Sequence, residues 1–520
     1  MKSFSDHIEQ ELRKRIKGEC AFDEGTRDLY STDSSWYKVI PVGVVSPANV
    51  EDVQTLVEYC ARNDIALIPR GAGTGLAGQA IGYGIIVDFS RLMNQVVSHT
   101  SDSVTVQPGV ILASLNQHLG LHKKFFPIDP ASSSLCTLGG MIATNAAGAH
   151  GIKYGATKDF VREFTVVLAN GETARITRKP EVDASSNPYY SSIVETLSPL
   201  LTENKKLIRS RFPSVAKNSS GYNLLGAVSV STIDFRRLIV GSEGTLAITV
   251  EAILDVVQVP KYKMGALVYL SSYEKTADAT QLGLELNPAA IEILDHSYVS
   301  LVKGTSPEID AIIHPDAKAM LYFEFEGDSK EELSQNIVRL NRTVSLSLPL
   351  KFTPLTTTQE IQRVWQLREE ASRIINYVKS QGKTSFVEDV AVPLPRLSEY
   401  LKGLVNILSS NGIGFSMYGH AGTGNVHCAA FVDLKNLTHY KAVDTIASEV
   451  YDLAISLGGT FSGEHGDGFV RTPFLERLYG SEVYDLFRTV KNTFDPHNML
   501  NPGKIIGPQN VSILHDLALS

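Results

Sequence analysis

The chain has 520 residues, a formal net charge of −8 and 43 % apolar residues. That length and apolar content suit about two to four globular domains. The absence of a clustered basic run argues against nucleic acid as a partner, and no stretch approaches the roughly 18 uninterrupted apolar residues that a membrane span needs. Cys20, Cys60, Cys136 and Cys428 are scattered and form no C-x-x-C pair. No iron–sulfur or zinc–thiolate framework is therefore expected, and free buried thiols in a reducing cytoplasm are.

The N-terminus, MKSFSDHIEQELRKRIKGE, is charged throughout and lacks an apolar signal core, so no secretory signal is expected. Ile8, Leu12 and Ile16 recur every four positions and predict one short amphipathic helix. It would pack on the first domain or lie on a membrane surface; Asp6, Glu9 and Glu11 favour packing. VEDVQTLVEYCARND predicts a helix with Val50, Val53, Leu56, Val57 and Cys60 on one face. Strands are expected at IALIP, GIIVDF, SVTVQPG, FTVVLANGE, RLIVGSEG and LAITVEAILDVV, with a hairpin tip at Asn170-Gly171. VVQVPKYKMG, around 256–263, marks a boundary. Beyond it, GALVYLSS, AMLYFEFEG and GIGFSMYGHAG are strand-like, between helices at SKEELSQNIVRLNRTV, TTQEIQRVWQLREEASRIINYVKS and LPRLSEYLKGLVNILSSNG. Such alternation suggests an open sheet with helices on one face. The expected division is a helical segment to 35, one domain over 36–258, a second over 259–450 and a helical return over 451–520.

PRGAGTGLAG, from Pro69 to Gly78, contains a G-x-G-x-x-G match after an apolar strand, with Asp88 following. A Rossmann turn requires a helix to start at those glycines and carry the crossover. Only Gln79, Ala80, Ile81, Gly82 and Tyr83 separate the loop from the next strand, so no helix fits. What survives is an anion-binding nest of backbone N–H groups, for which glycines allow close phosphate approach. A second run, PIDPASSSLCTLGGMIATNAAGAH over 127–150, is rich in small residues. It reads either as backbone packed beside a planar ligand or as a tight Ala/Gly helix.

Further on, YGHAGTGNVHC carries His420 and His427 across a turn, and GTFSGEHGDG carries Glu464 in a glycine-rich loop. Two imidazoles and one carboxylate could hold a divalent cation and leave room for a substrate oxygen. The alternative is that the histidines are unrelated. On the helix before them, Arg368 precedes Ser372 by four residues, so both share a face. A guanidinium fork there binds a substrate carboxylate or pairs with a neighbouring Glu.

Five segments together, PRGAGTGLAG, PIDPASSSLCTLGGMIATNAAG, KYGATKDFV, KNSSGYNL and IVGSEGTLAI, resemble the FAD domain of the vanillyl-alcohol-oxidase and p-cresol-methylhydroxylase flavoproteins. HAGTGNVH and GEHGDG resemble the D-2-hydroxyacid dehydrogenase branch. The resemblance spans about 35–505. It implies an α+β fold: an FAD-binding domain and a substrate cap domain with an antiparallel sheet and helices. It places Pro69, Arg70, Gly71, Ala72, Gly73, Thr74 and Gly75 around the pyrophosphate. Pro130, Ser132, Thr137, Gly140, Ala143, Thr144, Asn145 and Gly148 fall along the flavin, and Gly241, Glu243, Gly244 and Ile248 toward the adenine and ribose. Asn501, in the returning FDPHNMLNPGK, falls near FAD. Thr74 stands where many relatives carry the His that bonds flavin, so FAD is expected to be non-covalent.

The resemblance also assigns His420, His427 and Glu464 as ligands of a divalent metal, Zn first with Mn or Fe as alternatives. His465 becomes the base, Asn425 a substrate or flavin contact, and Arg368 with Ser372 the substrate-carboxylate site. Relatives acting on dicarboxylates carry a further basic residue where this chain has Val387, with Lys383 nearby. D-lactate is accordingly expected ahead of D-2-hydroxyglutarate and glycolate. Electrons would pass to an external iron–sulfur protein or domain, electron-transfer flavoprotein, quinone or cytochrome. A cytoplasmic homo-oligomer is expected, with peripheral attachment to the inner membrane as the alternative location. Two rival functions follow from the same fold: a non-redox alkylglycerone-phosphate-synthase-like flavoenzyme, and an FAD-holding subunit of a larger complex.

Overall fold

The computed structural model describes residues 4–229, 232–380, 383–384 and 386–517, with backbone alone for 376–380 and 383–384. The helix Phe4–Arg13 buries Ile8 and Leu12 in the core of the first unit, so its apolar face is committed to packing. That core is built on a four-stranded sheet in the order Glu19–Ala21, Gly43–Ser46, Ile85–Asp88, Leu67–Arg70. The last two strands run parallel, Leu67 facing Ile85 and Arg70 facing Asp88. The connection over 71–84 contains no helix, as the short spacing requires.

An antiparallel five-stranded sheet follows, in the order Val96–His99, Ser103–Val106, Ile248–Asp255, Val161–Val167, Thr173–Ile176. The hairpin between its last two strands turns at Asn170-Gly171, with Gly171 at φ +86°. RLIVGSEG is not a strand. Arg236–Ile239 is a short helix, because Asp234 bonds both the backbone and the guanidinium of Arg236 and closes a local turn. The residues after it use left-handed backbone at Gly241, Glu243 and Gly244 to form a tight loop. Leu138–Thr144 is helical and ends at Asn145, which caps it at φ +52°.

The third sheet has seven strands in the order Lys351–Leu355, Tyr262–Leu270, Ala319–Gly327, Ala290–Asp295, Phe415–His420, Asn425–Ala430, Val390–Ala391. Its register alternates faces as a pleat requires. Ala266, Val268 and Leu270 enter the core shared with the helices Lys330–Val344 and Leu397–Ser410. Leu267 and Tyr269 enter a second core with Val364, Leu367 and Ala371 of the helix Thr358–Ser380. Helices therefore cover both faces, not one. The second face carries Arg368, one of the residues expected at the substrate site. Among the described residues no helix is long and apolar enough to cross a membrane. All four cysteines are buried and none forms a disulfide.

Candidate active site

The first site lies where the parallel pair meets the antiparallel sheet. A partly open cleft is lined by Pro69, Arg70, Gly71, Thr137, Gly140, Ala143, Glu243, Gly244 and Ile248, among others. Nine of the expected cofactor positions thus come together. Backbone approaches closely here. A Cβ on Gly71 would sit 2.0 Å from Thr137 Oγ1, and Gly73, at φ +69°, would meet the Arg70 guanidinium. At both positions a side chain would collide with the protein's own groups, so the loop needs glycine to lie this close, and bare main chain of this kind suits an anion such as the pyrophosphate of a nucleotide cofactor.

The remaining expected positions are not among the residues that line the cleft. Asn501 Nδ2 donates to the carbonyls of Gln79 and Glu243 at 3.0 and 2.7 Å, joining two of its loops. Asn145 bonds Ser219, and the Thr144 hydroxyl donates to Gly140 O. Gly241 N donates to Ile142 O, and Pro130 and Ser132 accept backbone N–H bonds in their own turn. Ala72, Thr74 and Gly75 continue the 71–78 loop, and Gly148 packs against Asp129.

The second site is built on the hairpin of the seven-stranded sheet. Tyr418 faces His427 and His420 faces Asn425 across the strands, so the two imidazoles are diagonal neighbours on one face. The turn closes through Gly424 at φ +69°. His420 Nε2, His427 Nε2 and Glu464 Oε1 converge: 2.9 Å and 3.2 Å from the carboxylate to each ring, 3.3 Å between the rings. All three residues are buried.

The outer nitrogens define the chemistry. His427 Nδ1 faces the Glu388 carbonyl at 3.0 Å and His420 Nδ1 faces Glu292 Oε1 at 2.7 Å. Each Nδ1 therefore carries a proton. Without a cation the raised His420 also donates Nε2–H to Glu464 Oε1; a bound cation would displace that proton and take both Nε2 lone pairs and the carboxylate oxygen as ligands. Burial drives His427 down, whereas Glu292 and Glu464 outweigh burial at His420 and raise it. Glu464 is held well below the usual carboxylate range against burial, by His420 and then Lys217. Lys217 Nζ donates to Glu464 Oε2 at 2.7 Å and to Gly148 O at 2.8 Å, tying this site to the small-residue run.

His465 stacks on His427, with centroids 5.0 Å apart and planes 9° from parallel. Its Nδ1 lies 3.1 Å from Glu388 Oε1, and its Nε2 lies 3.9 Å from Glu464 Oε1. Burial opposes charge on this ring, but Asp389 and Glu388 push it up to about 9. Asp389 Oδ2 accepts from the N–H groups of Glu464 and His465 and from the Ser462 hydroxyl, while Oδ1 accepts from Asn425. Arg368 lies across the site, its Nε 3.2 Å from Glu292 Oε2 and its guanidinium over the Trp365 ring. The Ser372 hydroxyl is engaged with the Tyr298 hydroxyl at 3.0 Å.

Sequence reasoning missed Glu292, Glu388, Asp389 and Lys217 as members of this cluster. Lys217 sits inside KNSSGYNL, and Glu388 and Asp389 directly follow Val387, already singled out; Glu292 had no such signal. A neighbouring group, His150 with Glu324 and Glu326, is not an open metal site. His150 is held between Asp129 and Glu324 at 2.6 and 2.9 Å, and Lys263 Nζ lies 2.9 and 2.6 Å from the two glutamates.

Residues 41–177 match the family model "FAD binding domain", and 259–505 match "FAD linked oxidases, C-terminal domain". The chain is 30 % identical over 527 residues to D-2-hydroxyglutarate dehydrogenase of Escherichia coli, covering 96 % of this chain and 52 % of that protein. It thus spans about half the length of that relative. It is also 30 % identical over 497 residues to the probable mitochondrial D-lactate dehydrogenase of Danio rerio, covering 92 % of this chain and 87 % of that one. The solved structure of p-cresol methylhydroxylase with substrate bound superposes with a TM-score of 0.72 at 14 % identity, covering 98 % of each chain. It has the same α+β fold. The chain belongs to the family of FAD-linked D-2-hydroxyacid dehydrogenases.

Proposed function

We propose that this chain oxidises a D-2-hydroxyacid to the 2-oxoacid, with non-covalent FAD as the immediate oxidant and D-lactate as the favoured substrate. The observation that carries this reading is the convergence of His420 Nε2, His427 Nε2 and Glu464 Oε1 beside Arg368 and His465. When bound, FAD supplies a two-electron acceptor for the C2 hydrogen, and a divalent cation held by these three residues supplies Lewis acidity toward the 2-hydroxyl.

The chain's own groups do the rest. Arg368 offers its Nη edge to the substrate carboxylate, because its Nε edge already faces Glu292. His465 directs Nδ1 at Glu388 Oε1, so Nε2 is the atom that takes the hydroxyl proton, in the neutral form whose share grows as pH rises toward about 9. Asp389 holds the backbone of Glu464 and His465, which fixes the base relative to the metal-binding carboxylate.

D-Lactate is favoured over a dicarboxylate because Val387, fully buried, stands where a second cation would serve. Phe386 beside it is stacked on Trp36, with centroids 5.8 Å apart. The side chain of Lys383 lies outside the described residues. The electrons then pass to an external acceptor of the kinds named above. Anaerobic addition of D-lactate, D-2-hydroxyglutarate, glycolate and related acids to the FAD-loaded protein tests the proposal. Bleaching of the flavin by D-lactate at the lowest concentration supports it; an oxidised spectrum with every acid sinks it.

A further inference from the structure

Glu292 lies on the strand Ala290–Asp295 and is 1 % exposed. One oxygen, Oε1, receives His420 Nδ1–H at 2.7 Å, and the other, Oε2, faces Arg368 Nε at 3.2 Å. The contact to Arg368 is a charge contact, since neither Oε2 nor Nε makes a hydrogen bond there.

We propose that Glu292 is a positioning residue: it fixes His420 in the Nδ1–H tautomer and links the carboxylate-binding arginine to the metal centre. The inference rests on the metal and substrate sites of the proposed function. Both neighbours of Glu292 present N–H groups, so the position requires two acceptor atoms. A carboxylate has them and an amide does not. In a glutamine at this position the guanidinium attracts the carbonyl oxygen, and the NH₂ then turns to His420 Nδ1. That imidazole must accept at Nδ1 and carry its proton on Nε2, where the cation would bind. Partners of this kind around metal-ligating histidines are worth about 10- to 100-fold in affinity.

The test uses the full FAD-loaded chain, with Zn²⁺ or Mn²⁺ affinity read by competition with a chromophoric chelator. Glu292→Gln should weaken metal binding about 10- to 100-fold, while KM for D-lactate at saturating metal changes less than about threefold. Arg368→Met leaves the Glu292 charge wholly to His420. It should bind metal at least as tightly as wild type while KM rises. Metal affinity of Glu292→Gln within twofold of wild type overturns the proposal. Should that variant fail to fold, a tenfold loss of metal affinity in Arg368→Met overturns it instead, and retained affinity supports it. Wild-type protein that binds metal but is bleached by no hydroxyacid refutes the functional reading, and the metal arms still decide the role of Glu292. Wild-type protein that binds neither ion refutes both.

Discussion

Lys504, in the segment that returns to the cofactor loops, is 1 % exposed. Its Nζ donates to Ile81 O at 2.7 Å and lies 3.9 Å from the centre of the Phe469 ring. Burial pushes this ammonium down to about 7, against the pull of Glu243 and Asp33; its ordinary value is 10.5. Between those two values the unfolded chain holds a proton that the folded chain has released, so stability rises with pH across the window. Below it both states are protonated and the full cost of burying the charge remains. One proton corresponds to a slope of about 1.4 kcal/mol per pH unit. Lys504→Met keeps the apolar stem and removes the titration. From pH 7 to 10 the wild type should therefore gain roughly 4 kcal/mol on the variant. At about 2.1 cal/mol/K per residue the unfolding entropy of 520 residues turns that into a relative rise of about 4 °C in Tm. Glu243 contributes with the same sign. Burial holds it up at about 7, and Lys504 is one of the groups pulling it down, so the variant raises it further. A raised carboxyl loses stability as pH rises. Calorimetric scans of both proteins with excess FAD at pH 7, 8, 9 and 10 measure the difference. Parallel Tm curves would refute the assignment of a buried, largely deprotonated amine at this position.

Arg368→Lys replaces a fork by a point charge and should raise KM for D-lactate roughly 10- to 100-fold with the flavin content unchanged; steady-state kinetics with an artificial dye checks it, and an unchanged KM removes Arg368 from the carboxylate site. Dialysis against a strong chelator should abolish bleaching by hydroxyacid while the bound flavin absorbance persists, and Zn²⁺ or Mn²⁺ should restore it; full bleaching of demonstrably metal-free protein contradicts the reading of His420, His427 and Glu464. Gly71→Ala drives a methyl group to 2.0 Å from Thr137 Oγ1 and should cost about 1–3 kcal/mol of strain. The purified variant should then show a lower ratio of flavin to protein absorbance, and full occupancy would mean that the loop has room that its geometry denies.

Most of the fold was legible because local pattern and tertiary role agree. Val104, Val106, Val166 and Leu254 alternate into one core, and the long helices carry their apolar faces at helical spacing. RLIVGSEG misled because β-branched residues outweighed a turn signal three positions earlier, where Asp234 captures Arg236. The second helical face was hidden because Leu267 and Tyr269 on one side of a strand, and Val268 on the other, are all apolar. A strand buried on both faces has no alternation to read. At the candidate site, His420, His427, Glu464 and His465 stood out because glycines surround them. Glu292 did not. A single acid within an apolar strand or loop has no local signature, and its meaning comes only from the histidines and arginine that folding brings to it.

The two motifs that sequence reading kept apart are one structure in space. The GEHGDG loop docks on the cofactor loops through its backbone. Asp467 N and Gly468 N donate to the Glu243 carboxylate, and Gln79 Nε2 donates to His465 O at 2.6 Å. Phe469 N donates to Ala77 O at 2.7 Å, and Gly468 packs against the same residue with no space for a Cβ. His465 therefore takes its position from two directions. Asp389 holds its N–H from the substrate side, and Gln79, one residue beyond PRGAGTGLAG, holds its carbonyl from the cofactor side. If His465 is the base of the proposed function, being fixed to both loops would keep its distance to substrate and cofactor together, as transfer of a proton and a hydride from adjacent atoms demands. The glycines at 466 and 468, both at positive φ, let the chain turn sharply enough to make both contacts within four residues.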